Sequence, residues 1–244
     1  MEKKANTNNG LTLQNPTDEF LLKKAIHSIT PFTLLDYTDK TACILWFSGC
    51  NMKCGYCYNP EIVFGKGIIS FSELFSFLKK RIGLLDAVVF SGGECLLHKD
   101  IVEVVRRVKQ MGFLVKIDTN GSKPLVLEKL LKEKRIDYVA MDFKGTKEKF
   151  QSIAKLDSYE RFINCLLQLK KSGIPFEIRT TFHSDLLNKS DILEMQEVLE
   201  NEGYSNPFYV QNFRRYQNTI EPLPDSILLN ETNLSSNMSK IIFR

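Results

Sequence analysis

From residue 41 onward the chain is punctuated by short runs rich in β-branched and aromatic residues, at 41–47, 87–90, 113–117, 138–143, 176–181 and 208–213. Between them, apolar residues recur at helical spacing, as in Ile101, Val104, Val105 and Val108, or Phe162, Ile163, Leu166 and Leu167. Ser70-Phe71-Ser72-Glu73 is a capping-box pattern and predicts where the first of these helices begins. Near-continuous apolar strands alternating with amphipathic helices predict a parallel sheet covered on its faces. Six such alternations predict an α/β fold, a partial (β/α)6 TIM-like barrel of parallel strands. A doubly wound open sheet is the alternative that strand content leaves open. Residues 1–30 are expected to form a polar extension, mobile at its start. Residues 31–220 would form the barrel and 221–244 a tail packing on it, in which Ile241 to Phe243 can add a late edge strand.

Polar residues are not scattered evenly over this pattern. A cysteine-rich loop follows the first strand, Ser91-Gly92-Gly93-Glu94 the second, and Asp118-Thr119-Asn120-Gly121 the third. Asp142 and Lys144 close the fourth, Arg179 to His183 ends the fifth, and Gln211 with Asn212 lies late in the sixth. Parallel α/β folds bind ligands at the carboxyl ends of their strands, so every candidate falls on one rim.

Composition changes this picture little. Hydrophobic content of 43% and charged content of 25% are ordinary for a globular protein. Lys plus Arg (33) exceeds Asp plus Glu (29) by four, too small and dispersed an excess to argue for direct nucleic-acid binding. No apolar stretch approaches the ~18 residues of a membrane span, and the start carries no apolar signal region. A cytoplasmic protein is the default expectation, and six cysteines in a chain of this length suit a reducing compartment.

Three of those cysteines, Cys50, Cys54 and Cys57, fall within eight residues. They offer three thiolates to one centre and no fourth. Structural zinc wants four closed ligands, usually in two separated pairs, and no second pair exists. A cubane 4Fe-4S cluster held by three thiolates keeps one iron open to a ligand that is not protein. Gly92 and Gly93 lack a Cβ and allow close backbone approach, while Glu94 adds a carboxylate. Asp118 ends a strand as acidic residues that hold ribose hydroxyls do.

CNMKCGYC matches the CxxxCxΦC signature of the radical S-adenosylmethionine (SAM) superfamily. Further runs follow in order: TPFTLLDYTDK, FSGGE, DTNGS, DYVAMDFK, RTTFH and YVQNFR. Over roughly residues 30–215 the chain most resembles the activating proteins of anaerobic ribonucleotide reductase. The resemblance implies a 4Fe-4S cluster on Cys50, Cys54 and Cys57, with SAM chelating the open iron. It implies cofactor contacts from Tyr56, Gly92, Gly93, Glu94, Asp118, Thr119, Asn120, Asp142, Lys144 and His183. Lys144 and Asp142 would lie beside the methionine carboxylate, and Asp118, Thr119 and Asp142 could share a monovalent cation. Arg179 matches the same RTT-H pattern as His183, while Gln211 and Arg214 match a late QxFR pattern.

The implied reaction is reductive cleavage of SAM to a 5'-deoxyadenosyl radical that makes a glycyl radical on a partner enzyme. Electrons would come from a flavodoxin- or ferredoxin-type donor, because only about a dozen residues separate Tyr58 from Ser70 and leave no room for a ferredoxin-like insertion. Two departures stand out: Tyr58 occupies a place where relatives often have histidine, and Cys95 follows GGE where proline is common. Cys95 could in principle offer a fourth thiolate, whereas Cys43, Cys165, Trp46 and Phe47 are expected in the core. The competing readings are a radical enzyme acting on a small molecule, a peptide or a modified nucleobase, and a non-enzymatic iron-sulfur electron carrier or zinc module.

Overall fold

A computed structural model describes residues 16–215, 218–230 and 240–244. The six predicted strands are β2 (Ala42–Phe47), β4 (Ala87–Gly92), β5 (Leu114–Thr119), β6 (Tyr138–Asp142), β7 (Phe176–Phe182) and β8 (Phe208–Asn212). They lie side by side in chain order, every pair parallel. A doubly wound sheet reverses its order at a switch point, and this one does not. The short strand β9 (Ile241–Phe243) extends the sheet parallel to β8, as the tail pattern suggested.

The sheet is curled. Six strand spacings separate β2 from β9, about 29 Å if the sheet were flat. Yet Trp46 on β2 and Arg244 just past β9 line the same cavity. The edges stay open, because β9 at one end and β3 (Ile69–Ser70) at the other do not pair with each other.

Alternation along each strand separates an outer from an inner face. Cys43, Leu45 and Phe47, then Val88 and Phe90, then Val115 and Ile117 point outward into the main core. There they meet the apolar stripes of α3 (Phe71–Lys79), α4 (Ile101–Gln110), α5 (Pro124–Lys132), α7 (Tyr159–Ser172) and α8 (Lys189–Asn201). Inside, Ala42, Ile44, Ala87 and Val89 form a small second cluster with Tyr37 and Trp46 packed on it.

The rest of the interior is charged. Lys116 Nζ donates to the Asp36 carbonyl at 2.6 Å and lies 3.8 Å from Glu177 Oε1. Glu177 also accepts from Arg244 Nη2 at 3.2 Å, and the Arg244 guanidinium stacks 3.6 Å over the Tyr209 ring. Buried charges persist only when paired, so this inner lattice is stable as a set.

The capping box at Ser70 forms as predicted: Glu73 N–H donates to Ser70 Oγ, and Ser70 N–H to Glu73 Oε2. Two expectations need correction. The extension placed over residues 1–30 is shorter, because β1 (Lys24–Thr33) pairs antiparallel with both β2 and β3. Ahead of it, α1 (Pro16–Leu22) seats Phe20 against Phe71, ring centroids 4.9 Å apart. Of the start expected to be mobile, to about residue 20, residues 1–15 lie outside the described residues and the rest is docked as part of α1. Trp46 is core only in part: it packs on the inner cluster, also lines the cavity, and its Nε1–H donates to Thr30 Oγ1 at 2.9 Å. Phe47, one position on, points outward and is fully buried.

Candidate functional site

The carboxyl ends of the parallel strands surround one cavity of about 670 Å³. Cys50, Cys54 and Cys57 all line it from the loop after β2. That loop is tied down by backbone bonds from Gly49 N–H to the Ile62 carbonyl (2.8 Å) and from Lys53 N–H to the Ala154 carbonyl (3.0 Å). Burial pushes the Cys50 thiol up to about 11 and raises Cys54 as well. Metal must therefore displace protons to bind there.

Gly92 and Gly93 explain how the loop reaches this position. Gly92 has φ +117°, and a Cβ there would lie 2.3 Å from the backbone N and O of Phe47. A Cβ on Gly93 would lie 2.1 Å from the Gly49 carbonyl oxygen and 3.0 Å from Cys50 Cβ. The glycines let two backbones close on each other, and Glu94 N–H donates to the Gly49 carbonyl at 3.0 Å. Gly93→Ala is expected to push the cysteine loop off β4 at a cost of about 2 kcal/mol. Thermal unfolding should show a fall in Tm of roughly 5 °C.

The donor set fits a cluster better than a single ion. Among the described residues no three His, Cys, Asp or Glu side chains are placed to hold one metal ion. Zinc needs its ligands converging within about 2.3 Å of one point. A cubane takes each thiolate on a separate iron, so its cysteines stand apart around it. Cys95 does not complete the set: it is fully buried, lines no part of the cavity, and bonds to the Phe90 and Asp118 carbonyls at 3.6 Å. Cys43 and Cys165 are likewise buried in the main core.

Asp118, Asp142, Lys144 and Arg179 line the same cavity. Lys144 Nζ donates to Asp142 Oδ2 at 3.2 Å and lies 5.8 Å from the centroid of the buried Tyr56 ring. Arg179 Nε donates to Asp142 Oδ1 at 2.5 Å while its Nη2 lies 3.4 Å from Asp118 Oδ2. Burial drives the Asp142 carboxyl upward, but Arg179 and Lys144 outweigh it and hold it at about 2. The expectation that Asp118, Thr119 and Asp142 share a monovalent cation is corrected by this geometry. A guanidinium already stands between the two carboxylates, and Thr119 turns instead to Glu94.

Glu94 and His183 also depart from expectation, because neither lines the cavity. The Glu94 carboxylate is fully buried and accepts from Leu96 N–H (3.0 Å), Asn120 N–H (2.7 Å) and the Thr119 hydroxyl (3.0 Å). It locks the end of β4 to the end of β5. Burial dominates its titration and pushes it up to about 7. His183 donates from Nε2 to the Pro224 carbonyl at 3.0 Å, accepts the Asp185 N–H at Nδ1, and packs edge-on against Phe213. It pins the tail.

Thr119 and Asn120 do border the cavity, as do Gln211 and Arg214. Tyr58 stacks on Phe213, and its hydroxyl accepts the Arg214 N–H at 2.7 Å, which ties the cysteine loop to the segment after β8. Sequence reading placed Ser91 on this rim but missed Asp36, Trp46 and Arg244 as lining residues. Strand alternation carries a signal for Trp46, which shares register with Ser91 across β2 and β4. Nothing local points to Asp36 or Arg244.

The sequence profile of the Radical SAM superfamily matches residues 44–200. A Methanocaldococcus jannaschii protein whose name marks it as an inferred glycyl-radical enzyme activating enzyme is 36% identical, over 73% of this chain and 77% of its own. The pyruvate formate-lyase-activating enzyme of Clostridium pasteurianum is 27% identical, over 72% of this chain and 76% of its own. Among solved structures, Streptococcus suis SuiB bound to the precursor peptide SuiA superposes with a TM-score of 0.61 at 15% identity, which speaks to fold alone. That match covers 92% of this chain and 51% of SuiB, so the chain spans about half the length of that protein. Among the described residues no helix is long and apolar enough to cross a membrane.

Proposed function

This chain belongs to the radical SAM superfamily, and on that premise we propose that it is a glycyl-radical enzyme activase whose partner is an anaerobic ribonucleotide reductase. The observation that carries the reading is the cavity itself: three thiols from one loop, no other cysteine lining it, and the Lys144–Asp142–Arg179 group lining it with them. When bound, the 4Fe-4S cluster supplies the electron that splits SAM into methionine and a 5'-deoxyadenosyl radical. The naming of two relatives for activation of glycyl-radical enzymes supports the macromolecular substrate.

Lys144 would take the methionine carboxylate, since an ammonium is a compact charge already held at the cavity wall by Asp142. With the Glu94 carboxylate engaged by protein donors, the methionine ammonium would meet the backbone of Gly92 and Gly93. Tyr56 would flank the adenine, and Asp118, which lines the cavity, would hold the ribose. The open sheet edges leave a lateral way in for a protein loop that carries the target glycine. Electrons would come from a flavodoxin- or ferredoxin-type donor. Six free thiols suit a reducing compartment such as the cytoplasm.

Anaerobically reconstituted protein, reduced in the presence of SAM, should release 5'-deoxyadenosine; mixed with the reductase, it should give a glycine-centred doublet in electron paramagnetic resonance. Release without a doublet on any glycyl-radical candidate would move the reading to a small-molecule or peptide substrate. Lys144→Ala should keep its full iron content and bind SAM about thirtyfold more weakly, the effect of losing one charged hydrogen bond. Equilibrium binding to the loaded, unreduced protein checks this, and unchanged affinity would remove Lys144 from the site.

A further inference from the structure

Two asparagines from different loops meet behind the cysteines. Asn120 Oδ1 accepts the backbone N–H of Ser122 at 3.0 Å, and a backbone N–H can only donate. That bond fixes the orientation of the amide and aims Nδ2 the other way. Nδ2 then meets Asn51 Oδ1 at 3.0 Å and Cys50 Sγ at 3.8 Å. Asn51 is held in turn, its Nδ2 donating to Ser122 Oγ at 2.8 Å. The backbone of Asn120 is clamped by the buried Glu94 carboxylate. Both N–H bonds of the Asn120 side chain are therefore committed inside the protein, and neither is left for a cofactor.

We infer that Asn120 is a positioning residue for the cluster, donating an N–H···S hydrogen bond to the Cys50 thiolate and thereby setting the cluster's reduction potential. The inference rests on the proposed reading that Cys50 is a cluster ligand. Cys50 Sγ already accepts the Met52 N–H at 3.4 Å, so Asn120 makes it a doubly hydrogen-bonded sulfur. Donors to a cluster sulfur favour the reduced, more negative state, and removing one lowers the potential. The network also gives a reason for the Asn in CNMK and the NGS in DTNGS to stand in one chain: they form a single bracket around one sulfur. Glu94 acts through the same bracket, holding Asn120 rather than touching the ligand.

Wild type, Asn120→Leu and Asn120→Asp would be reconstituted anaerobically, their iron counted, and the cluster midpoint potential measured by titration monitored with electron paramagnetic resonance. The expected result is a full cluster in each variant with its midpoint displaced to more negative potential. Leucine removes the donor without adding charge, so a merely structural role for Asn120 would leave its midpoint where it was. A full cluster at the wild-type midpoint in Asn120→Leu would overturn the assignment. Should the variants lose iron, electron spin-echo modulation of the reduced wild-type cluster, with the asparagine side-chain amide labelled with nitrogen-15, decides the matter. Coupling to that nitrogen is expected, and its absence overturns the inference. A wild-type protein that takes up no iron would overturn the cofactor reading and this assignment together.

Discussion

Arg179→Ala is expected to destabilise the protein by about 3 kcal/mol, the low end of the range for a buried charge left without its partner. The low end applies because Asp118, Asp142 and Arg179 border a cavity that admits water. One guanidinium neutralises carboxylates from two strands, Asp118 on β5 and Asp142 on β6, from its own place on β7. Its loss leaves Lys144 as the remaining partner of Asp142, and for Asp118 the Ser91 hydroxyl at 3.1 Å and the long 3.7 Å contact from Lys116. The pH dependence has a definite sign. Asp142 is held below its ordinary value, so its contribution is present above about 4 and fades as pH falls toward 2. In the variant the Asp142 carboxyl should titrate higher and that acid-range dependence should shrink. Denaturant unfolding at several pH values measures both effects. Partial recovery by ethylguanidine or a small monovalent cation should follow, because either can enter the space between the carboxylates. A variant as stable as wild type, with Asp142 titrating unchanged, would show that Arg179 is not their counter-ion.

Cys54→Ala should abolish cluster binding altogether, whereas Cys95→Ala should retain a full complement of iron. Two thiolates cannot hold a cubane against loss when the remaining irons face an open cavity. Cys54 lines that cavity from a loop fixed on both sides by backbone bonds. Cys95 sits beneath the rim with its thiol directed at two carbonyls, and no rotation within that packed site turns it toward the cavity. Iron and sulfide analysis with the visible charge-transfer band of the reconstituted proteins gives the readout. Retention of a cluster by Cys54→Ala would mean that a fourth protein ligand exists, and loss in Cys95→Ala would identify it.

The strands were legible because each is covered by helices on its outer face and faces the inside of the curled sheet on the other, which writes itself as a largely apolar run. Lys116 and Glu177 interrupt two of those runs, and their pairing inside the curl accounts for the interruption. The strand β1 escaped notice for the opposite reason. Its sequence, KAIHSITPFT, mixes polar with apolar residues because only part of it is covered, and its partners β2 and β3 follow it in the chain. A polar-looking stretch becomes a strand only when a neighbouring strand is there to pair with it.

Covalent spacing alone established that three thiols share one loop and that glycines and carboxylates follow successive apolar runs. Those are properties of neighbours in the chain, and no packing can undo them. Where Glu94, His183 and Arg179 point was decided by contacts between residues 25 or more positions apart. Glu94 turned to Asn120, His183 to Pro224, and Arg179 into the space between two carboxylates, because buried polar groups adopt whichever orientation satisfies them and only the assembled sheet supplies the partners.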